Sequence, residues 1–281
     1  MKARWLVVLL FVAVGSCMLG RQFPSSSVGE SRIRVVRLDG TLLEGRKIVE
    51  KLSQARADSS VKAVVLRIES PGGAVGASQE VFEAVRATDR VKPVVATIGN
   101  LGASGGYYAA LGARRIWANP GSLTGSIGVI TQFTDFHELM DKIGVRSTTV
   151  KSAEFKDAGS PWRPMTERES ALFQRMVADV YDQFRTTVAE RRKIDSAALD
   201  TLADGRVLTG RQAWKAGLVD SIGTFDDAKA EALRLAGLEA DAPVDEDEPK
   251  IPLLRRLLDP EAEGFSKLLP LSGSRVEFRM P

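Results

Sequence analysis

A serine that stands before two glycines and a run of small residues could act as a nucleophile. Ser104 lies in the segment GASGGYYAA, where no bulky side chain precedes the hydroxyl. At a helix N-terminus, the unpaired N–H groups and the positive end of the dipole would favour attack by this serine. The N–H of Gly105 could also stabilise a developing oxyanion. The same position suits a serine that only caps the helix, so the residues alone leave both roles open.

A serine nucleophile needs a base, and the chain contains a single histidine, His137. His137 lies in FTDFHELMDKIG, which reads as an amphipathic helix, and no nearby motif connects it with Ser104. Lys156 lies among glycine, proline and aromatic residues in EFKDAGSPWRPMT, which makes it the better candidate. A lysine at such a position is usually solvated, and it accepts a proton only as a neutral amine, which removal from water favours. A Ser104–His137 pair remains the alternative.

Two further glycine-bearing segments follow predicted strands, where reacting groups collect in open parallel sheets. The first is SPGG at residues 70–73, whose glycines could turn backbone N–H groups toward a ligand or could form a plain turn. The second is TGSIG at residues 124–128, which brings a polar turn directly before an apolar run. We therefore expect the chemistry to be assembled from several strand ends.

Strands and helices alternate along the chain. The apolar runs at 33–38, 61–68 and 91–98 predict strands, of which the second is continuous enough for a buried parallel strand. Amphipathic stretches at 43–57 and 77–88 predict the helices between them. This order indicates βαβ units and a mostly parallel sheet with helices packed against it.

Two capping signals place helices in the second half of the chain. Thr166 and Glu169 form a predicted capping box, followed by apolar residues at spacings of three and four that continue to Val188. In DGRVLTGRQAWKAGLVDSIG we expect a short strand, a helix capped by Thr209 and a last strand. The acidic, proline-bearing composition at 241–250 predicts a domain edge.

Composition excludes several classes of function. With 39 basic and 36 acidic residues the net charge is +3, which gives little reason to expect binding to nucleic acid. A single cysteine excludes an intrachain disulfide and any multi-cysteine metal site, and a single histidine makes a histidine-rich zinc site implausible. We expect neither a metal nor a cofactor.

The N-terminus reads as an export signal. Lys2 and Arg4 precede an apolar run that is shorter than the roughly 20 residues that span a bilayer comfortably. Cys17 follows Val14-Gly15-Ser16 in a pattern similar to a bacterial lipoprotein box, so it could carry a lipid; the alternative is an uncleaved signal anchor. We predict a signal at 1–19, a linker at 20–32, a catalytic domain at 33–240 and a linker with a tail at 241–281.

Five motifs in register make the chain resemble the signal peptide peptidase A family, which are serine proteases of the Clp-protease/crotonase-like superfamily. The matching segments are RIESPGG, GASGGYYAA, TGSIGVI, EFKDAGSPWRPMT and DGRVLTGRQAWKAGLVDSIG, which together sample nearly all of residues 33–237. The resemblance implies an α/β fold of repeated ββα and βαβ units with a mostly parallel sheet and packed helices. Family members commonly have asparagine where this chain has Glu69, and a bulkier residue where it has Ala158. Glu69 puts a negative charge near the expected site.

The same resemblance implies roles for individual residues. Ser104 would be the nucleophile and Lys156 the general base, and Ser126 would hydrogen-bond the lysine amine. The N–H groups of Gly73 and Gly105 would form the oxyanion hole. Because the chain carries one copy of the catalytic domain, the resemblance implies a homo-oligomeric ring in which Ser104 and Lys156 could meet across a subunit boundary.

The expected function is that of a membrane-tethered serine endopeptidase that hydrolyses hydrophobic peptides, such as remnant signal peptides. The pocket would include Tyr107 and Tyr108, and the enzyme would lie in the bacterial cell envelope, with its catalytic domain outside the cytoplasm. Two alternatives are a crotonase-like acyl-thioester enzyme, against which export argues, and a non-catalytic scaffold at the membrane.

Overall fold

The computed structural model describes residues 30–246. The predicted N-terminal signal, Cys17, most of the linker and the tail beyond residue 246 lie outside the described residues. The strands of the described part are β1 (Arg32–Asp39), β2 (Val61–Ser70), β3 (Val94–Ala103), β4 (Arg115–Ala118), β5 (Leu123–Gly125), β6 (Val207–Thr209), β7 (Ser221–Ile222) and β8 (Val244–Glu246). The helices are α1 (Arg46–Ala57), α2 (Val75–Asp89), α3 (Gly105–Ala110), α4 (His137–Lys142), α5 (Glu167–Arg192), α6 (Ser196–Asp200), α7 (Gly210–Lys215) and α8 (Phe225–Ala236), with a 3-10 turn at Glu154–Asp157.

The strands form one sheet in the order β6-β5-β3-β2-β1-β8, and β4 and β7 extend it beside β3. Every pair is parallel except β5 with β6. The predicted α/β fold with a mostly parallel sheet is confirmed, as are the three predicted strands. The strand at one edge of the sheet, β8, was not predicted from the composition. It lies beyond the predicted domain boundary at residue 240 and pairs with β1.

Side chains of the central strands alternate between two apolar layers, as the two-residue period of a strand requires. On one face, α8 covers the sheet with Ala228, Ala232 and Leu233, which pack on Ile33, Val35, Ala63, Val65 and Val95. On the other face, the intervening residues of β1 and β2 join the larger core with α1, α2, α3 and α5. Both faces of the sheet are therefore buried, which explains why its central strands read as nearly continuous apolar runs.

Strand β3 has two neighbours on one edge. Its first half pairs with β4 from Val95 to Ile98, and its second half pairs with β5 from Leu101 to Ala103. On its other edge, the register with β2 shifts at Glu69, whose carboxylate accepts the N–H of Asn100 at 2.9 Å. The predicted strand ended at Ile98, whereas the real one continues past this irregularity to the residue before Ser104.

Helix α5 begins where the sequence predicted it. The Thr166 hydroxyl accepts the N–H of Glu169 at 3.2 Å, and the Glu169 carboxylate accepts the N–H of Thr166 at 2.9 Å. The helix buries Phe184 and Val188 against the core. Helix α7 begins with a second capping box at Thr209, which is also confirmed.

The segment between β5 and α5 exposes an unusual amount of apolar surface. Ten of the eighteen exposed large hydrophobic side chains among residues 30–246 lie in it, namely Ile130, Phe133, Phe136, Leu139, Ile143, Val145, Val150, Phe155, Trp162 and Met165. We call residues 130–165 the exposed segment. It contains α4, in which no residue is buried, and His137, whose Nδ1 lies 2.7 Å from a carboxylate oxygen of Asp135. His137 is therefore a half-buried residue paired with Asp135, two residues before it.

Candidate active site

Ser104 occupies a strained turn between β3 and α3. Its backbone has φ 51° and ψ −121°, which a residue with a side chain rarely adopts. Although Ser104 stands at the N-cap position, its side chain makes no capping hydrogen bond. The alternative in which Ser104 only caps the helix is therefore wrong, and its hydroxyl lies at the edge of two cavities.

Ser126 has the same relation to β5 that Ser104 has to β3. The last register pair of the two strands is Ala103 with Gly125, and each serine follows one member of that pair. The N–H of Ser104 donates to the carbonyl of Gly125 at 2.9 Å, and the N–H of Ser126 donates to the carbonyl of Arg206 at 2.8 Å. Ser126 also has a positive φ of 51° and is half-buried.

Gly73 and Gly105 approach each other closely in front of Ser104. A methyl group added to Gly105 would lie 3.2 Å from the nitrogen of Gly73 and would collide with the hydroxyl of Ser78. A side chain at Gly72, which has φ 93°, would likewise collide with the nitrogen of Gly105. Neither the N–H of Gly73 nor that of Gly105 has an acceptor among residues 30–246. Two unpaired donors therefore lie side by side at the turn that carries Ser104.

Two cavities open at Ser104. The larger has a volume of about 910 Å³, reaches Ser126 and is walled by Phe133, Met165, Phe173, Val177 and Tyr181. It also includes Asp204, whose pKa is lowered to about 2 by hydrogen bonds from the Arg206 side chain and backbone. The smaller, of about 100 Å³, lies beside Gly73 and Gly105. The walls of both cavities are mainly apolar.

The two tyrosines that follow Ser104 have different environments. Tyr108 lines the smaller cavity and packs edge-on against Phe82 and Phe184, with ring centroids 5.2 and 5.0 Å away. Tyr107 is fully buried, its hydroxyl donates to the carbonyl of Leu218 at 2.7 Å, and burial raises its pKa. The expectation that both tyrosines line the pocket is therefore correct for Tyr108 and wrong for Tyr107.

Lys156 lies on the 3-10 turn of the exposed segment. It is exposed and is not among the residues that line either cavity. Its amine has no hydrogen-bond or ion-pair partner among residues 30–246. Ser104, Ser126, Gly73 and Gly105 thus line the two cavities of a single copy of the chain, and Lys156 lines neither.

A network of ion pairs beside Lys156 escaped the sequence-based prediction. The Arg163 side chain donates to the Asp157 carboxylate at 3.0 Å and to the Glu169 carboxylate at 2.9 Å. These bonds lower the pKa of Asp157, and a hydrogen bond from Lys151 lowers it further. They also lower the pKa of Glu169 to about 2. The only signal in the sequence was that Asp157, Arg163 and Glu169 share one short stretch with Lys156.

Glu69 is not among the residues that line the two cavities. Its carboxylate is held at the irregularity of β3 by the N–H of Asn100. Residues 30–246 contain no cluster of three or more His, Cys, Asp or Glu side chains that could hold a metal ion. Within the same residues, no helix has the length and apolar character needed to cross a membrane.

Comparison with solved structures supports the fold class. A mutant of the 1510-N membrane-bound stomatin-specific protease covers 79% of this chain over its whole length, with a TM-score of 0.52 and 12% identity. At this identity the likeness concerns the fold alone. It identifies a Clp-protease-like α/β fold, in agreement with the parallel sheet described above.

The sequence comparisons then identify the family. Residues 86–239 match the model of peptidase family S49. A predicted protease of Synechocystis sp. is 38% identical over 237 residues, covering 84% of this chain and 86% of that protein. The chloroplastic serine protease SPPA of Arabidopsis thaliana is 34% identical over 200 residues, covering 71% of this chain and 30% of that protein. The chain belongs to peptidase family S49, the signal peptide peptidase A family of serine proteases.

Proposed function

We propose that the protein is a membrane-tethered endopeptidase that cleaves hydrophobic peptides with a Ser104–Lys156 dyad. The observation that carries this proposal is the strained turn at Ser104. Its hydroxyl makes no capping bond, and beside it lie two backbone N–H groups that have no acceptor among residues 30–246. Strain of this kind persists only where the surrounding structure enforces it, and it is concentrated at functional sites.

The arrangement suits attack on a peptide carbonyl. The Ser104 hydroxyl would add to the carbonyl carbon, and the N–H groups of Gly73 and Gly105 would stabilise the resulting oxyanion. Lys156 would accept the serine proton and later return it to the leaving amine, with Ser126 holding the lysine amine in place. The apolar walls of both cavities favour hydrophobic peptides, such as signal peptides released in a membrane.

The position of Lys156 favours assembly of the site from two copies of the chain. Lys156 is exposed and has no partner among residues 30–246, and it lies on the exposed segment, whose apolar side chains a second copy would cover. Contact between subunits would also remove the amine from water, which favours its neutral form. We therefore propose a homo-oligomeric ring in which Lys156 of one copy serves Ser104 of the next.

Mixing two inactive variants tests the dyad and the assembly together. Ser104→Ala and Lys156→Ala should each reduce peptide hydrolysis to a small residual rate. If Ser104 and Lys156 act across a subunit boundary, mixed oligomers of the two variants should regain about a quarter of the native rate. Random mixing leaves an intact Ser104–Lys156 pair at about a quarter of the interfaces. Mixtures that stay inactive after confirmed exchange would exclude a pair shared between copies, and an active Lys156→Ala homo-oligomer would exclude the base.

The membrane tether rests on the N-terminal sequence. A basic start followed by an apolar run and Cys17 is typical of exported, membrane-attached proteins of the bacterial envelope. Mass analysis of the mature N-terminus distinguishes the two forms of attachment. A lipid-modified Cys17 at the first position would indicate a lipoprotein, and an intact N-terminus would indicate a signal anchor.

A further inference from the structure

The 3-10 turn that carries Lys156 is held at each of its other residues. Asp157 accepts bonds from Lys151 at 2.5 Å and from Arg163. Glu154 pairs with Arg168 at 2.9 Å, and its carbonyl accepts the Lys151 amine at 2.9 Å. The ring of Phe155 lies under the Arg168 guanidinium, 5.6 Å from its centroid. Lys156 is the one residue of the turn whose side chain has no partner among the described residues.

Arg163 connects this turn to the rigid part of the fold. Its guanidinium reaches the Asp157 carboxylate and, at 3.2 Å, the Asp157 carbonyl, while its other side contacts both carboxylate oxygens of Glu169. Glu169 is only 2% exposed and forms the capping box of α5 with Thr166. A planar fork with several fixed donors can make these contacts at once, whereas a single ammonium cannot.

Helix α5 in turn forms part of the cavity walls. Phe173, Val177 and Tyr181 line the larger cavity, and Phe184 lines the smaller one. The Tyr181 hydroxyl donates to the carbonyl of Ala203 at 2.7 Å, which fixes the helix against the loop before β6. A continuous series of contacts therefore runs from the cavity wall through Glu169 and Arg163 to the turn of Lys156.

From these contacts we infer that Arg163 is a positioning residue for the base: it bridges Asp157 and Glu169 and so fixes the turn that presents Lys156. The inference rests on the proposed role of Lys156. The turn is only four residues long and lies on the exposed segment, so its own backbone bonds cannot fix its direction. Displacement of a catalytic group by about 1 Å can cost on the order of a hundredfold in rate.

Steady-state kinetics of two Arg163 variants test this role. Arg163→Gln removes the charge and most of the donors, and Arg163→Lys keeps the charge without the fork. We expect both to lower kcat by at least about tenfold while KM changes by less than about twofold, because the Arg163 side chain itself lines neither cavity. Arg185→Gln is the matched control, because Arg185 pairs with Asp200 on α6 and does not touch the turn. It should retain the native kcat.

A double-mutant cycle separates positioning from general damage. If Arg163 acts only through the lysine, Arg163→Gln should leave the residual rate of Lys156→Ala unchanged. The inference is overturned if Arg163→Gln keeps the native kcat, or if it lowers the residual rate of Lys156→Ala by the same factor as in the native chain. A fully active Lys156→Ala would instead refute the proposed base, so the two failures are distinguishable.

Asp157→Asn provides a second variant in case loss of Arg163 prevents folding. It weakens the network at the turn but leaves the Glu169–Arg163 pair and the capping box of α5 intact. The same fall in kcat with an unchanged KM would support the inference. A native kcat in a folded Asp157→Asn protein would contradict it.

Discussion

Ser104 and Ser126 stand at equivalent ends of two neighbouring parallel strands, joined by the hydrogen bond from the N–H of Ser104 to the carbonyl of Gly125. Both have φ 51°, and both line the larger cavity. The parallel register therefore sets the separation of the two hydroxyls, and neither depends on a flexible loop for its place.

Replacement of Ser126 by alanine should slow catalysis without unfolding the protein. Alanine and serine meet similar strain at a positive φ, so the turn should persist, while the hydroxyl that would orient the lysine is lost. We expect kcat to fall about tenfold to a hundredfold. Ser53→Ala, at an exposed position of α1, is the control and should keep the native rate. An unchanged kcat in Ser126→Ala would exclude Ser126 from the reaction.

A methyl group at Gly105 should strongly reduce activity even when its steric clash is relieved. Gly105→Ala would crowd Ser78, so the double variant Gly105→Ala with Ser78→Ala restores space. The methyl group would still lie beside the nitrogen of Gly73, where the oxyanion should bind. We expect a loss of about a hundredfold to a thousandfold in kcat for both. Gly121→Ala, which points into open space, should be silent, and a rescued double variant would refute the oxyanion site.

Tyr108 should limit the size of the substrate side chain that enters the smaller cavity. Tyr108→Leu removes the aromatic wall, so the kcat/KM ratio for peptides with phenylalanine over alanine before the cleaved bond should rise about tenfold. Loss of the two edge-on ring contacts should also cost about 1–3 kcal/mol of stability.

Phe82→Leu is the control for this change, because Phe82 packs against Tyr108 without lining the cavity. It should reduce stability comparably and leave the preference unchanged. If Phe82→Leu shifts the preference as strongly as Tyr108→Leu, general loosening rather than the Tyr108 wall sets the size limit.

Glu169 should make stability depend on pH in the acidic range. Arg163 and the N–H of Thr166 lower its pKa from 4.5 to about 2 in the folded chain. A lowered carboxylate pKa stabilises the fold above the unfolded value, and this contribution is lost as the pH falls from about 4.5 toward about 2. Denaturant unfolding between pH 7 and pH 2 should show the decline.

The contribution of Glu169 is isolated by difference, because other carboxylates, such as Asp58, also have a lowered pKa. Glu169→Gln should be less stable than the native chain at pH 7 and should approach it at pH 2. Glu239→Gln, an exposed position after α8, should run parallel to the native curve. If Glu169→Gln also runs parallel, the carboxylate does not stabilise the fold.

Local sequence signals predicted the frame of this fold well. The hydrogen bonds between Thr166 and Glu169 join residues only three positions apart, so they can be predicted from the local sequence. Buried strands can be recognised as apolar runs whatever their partners in the sheet. The contacts of Arg163 could not be predicted, because an arginine's partners depend on how the chain folds around it. The difference between Tyr107 and Tyr108 was also unpredictable, since adjacent residues of a short helix face different sides and only the packing decides which side is the core.

The surroundings of Lys156 could not be predicted from its motif. In the proposed assembly they would come from a second copy of the chain, which the sequence of one chain does not specify. Similarly, short β8 carries too few residues to be recognised without its partner β1, and it falls in a stretch whose acidic composition resembles a linker.

The exposed segment also implies that the protein should lose its activity under milder conditions than those that unfold it. Ser104 ends an interior strand with neighbours on both edges, whereas the lysine turn depends on surface ion pairs and one buried carboxylate. Regions with few buried contacts open at lower cost than the core. Moderate warming or a low urea concentration should thus inactivate the enzyme while its circular dichroism spectrum remains native. Activity should return on cooling.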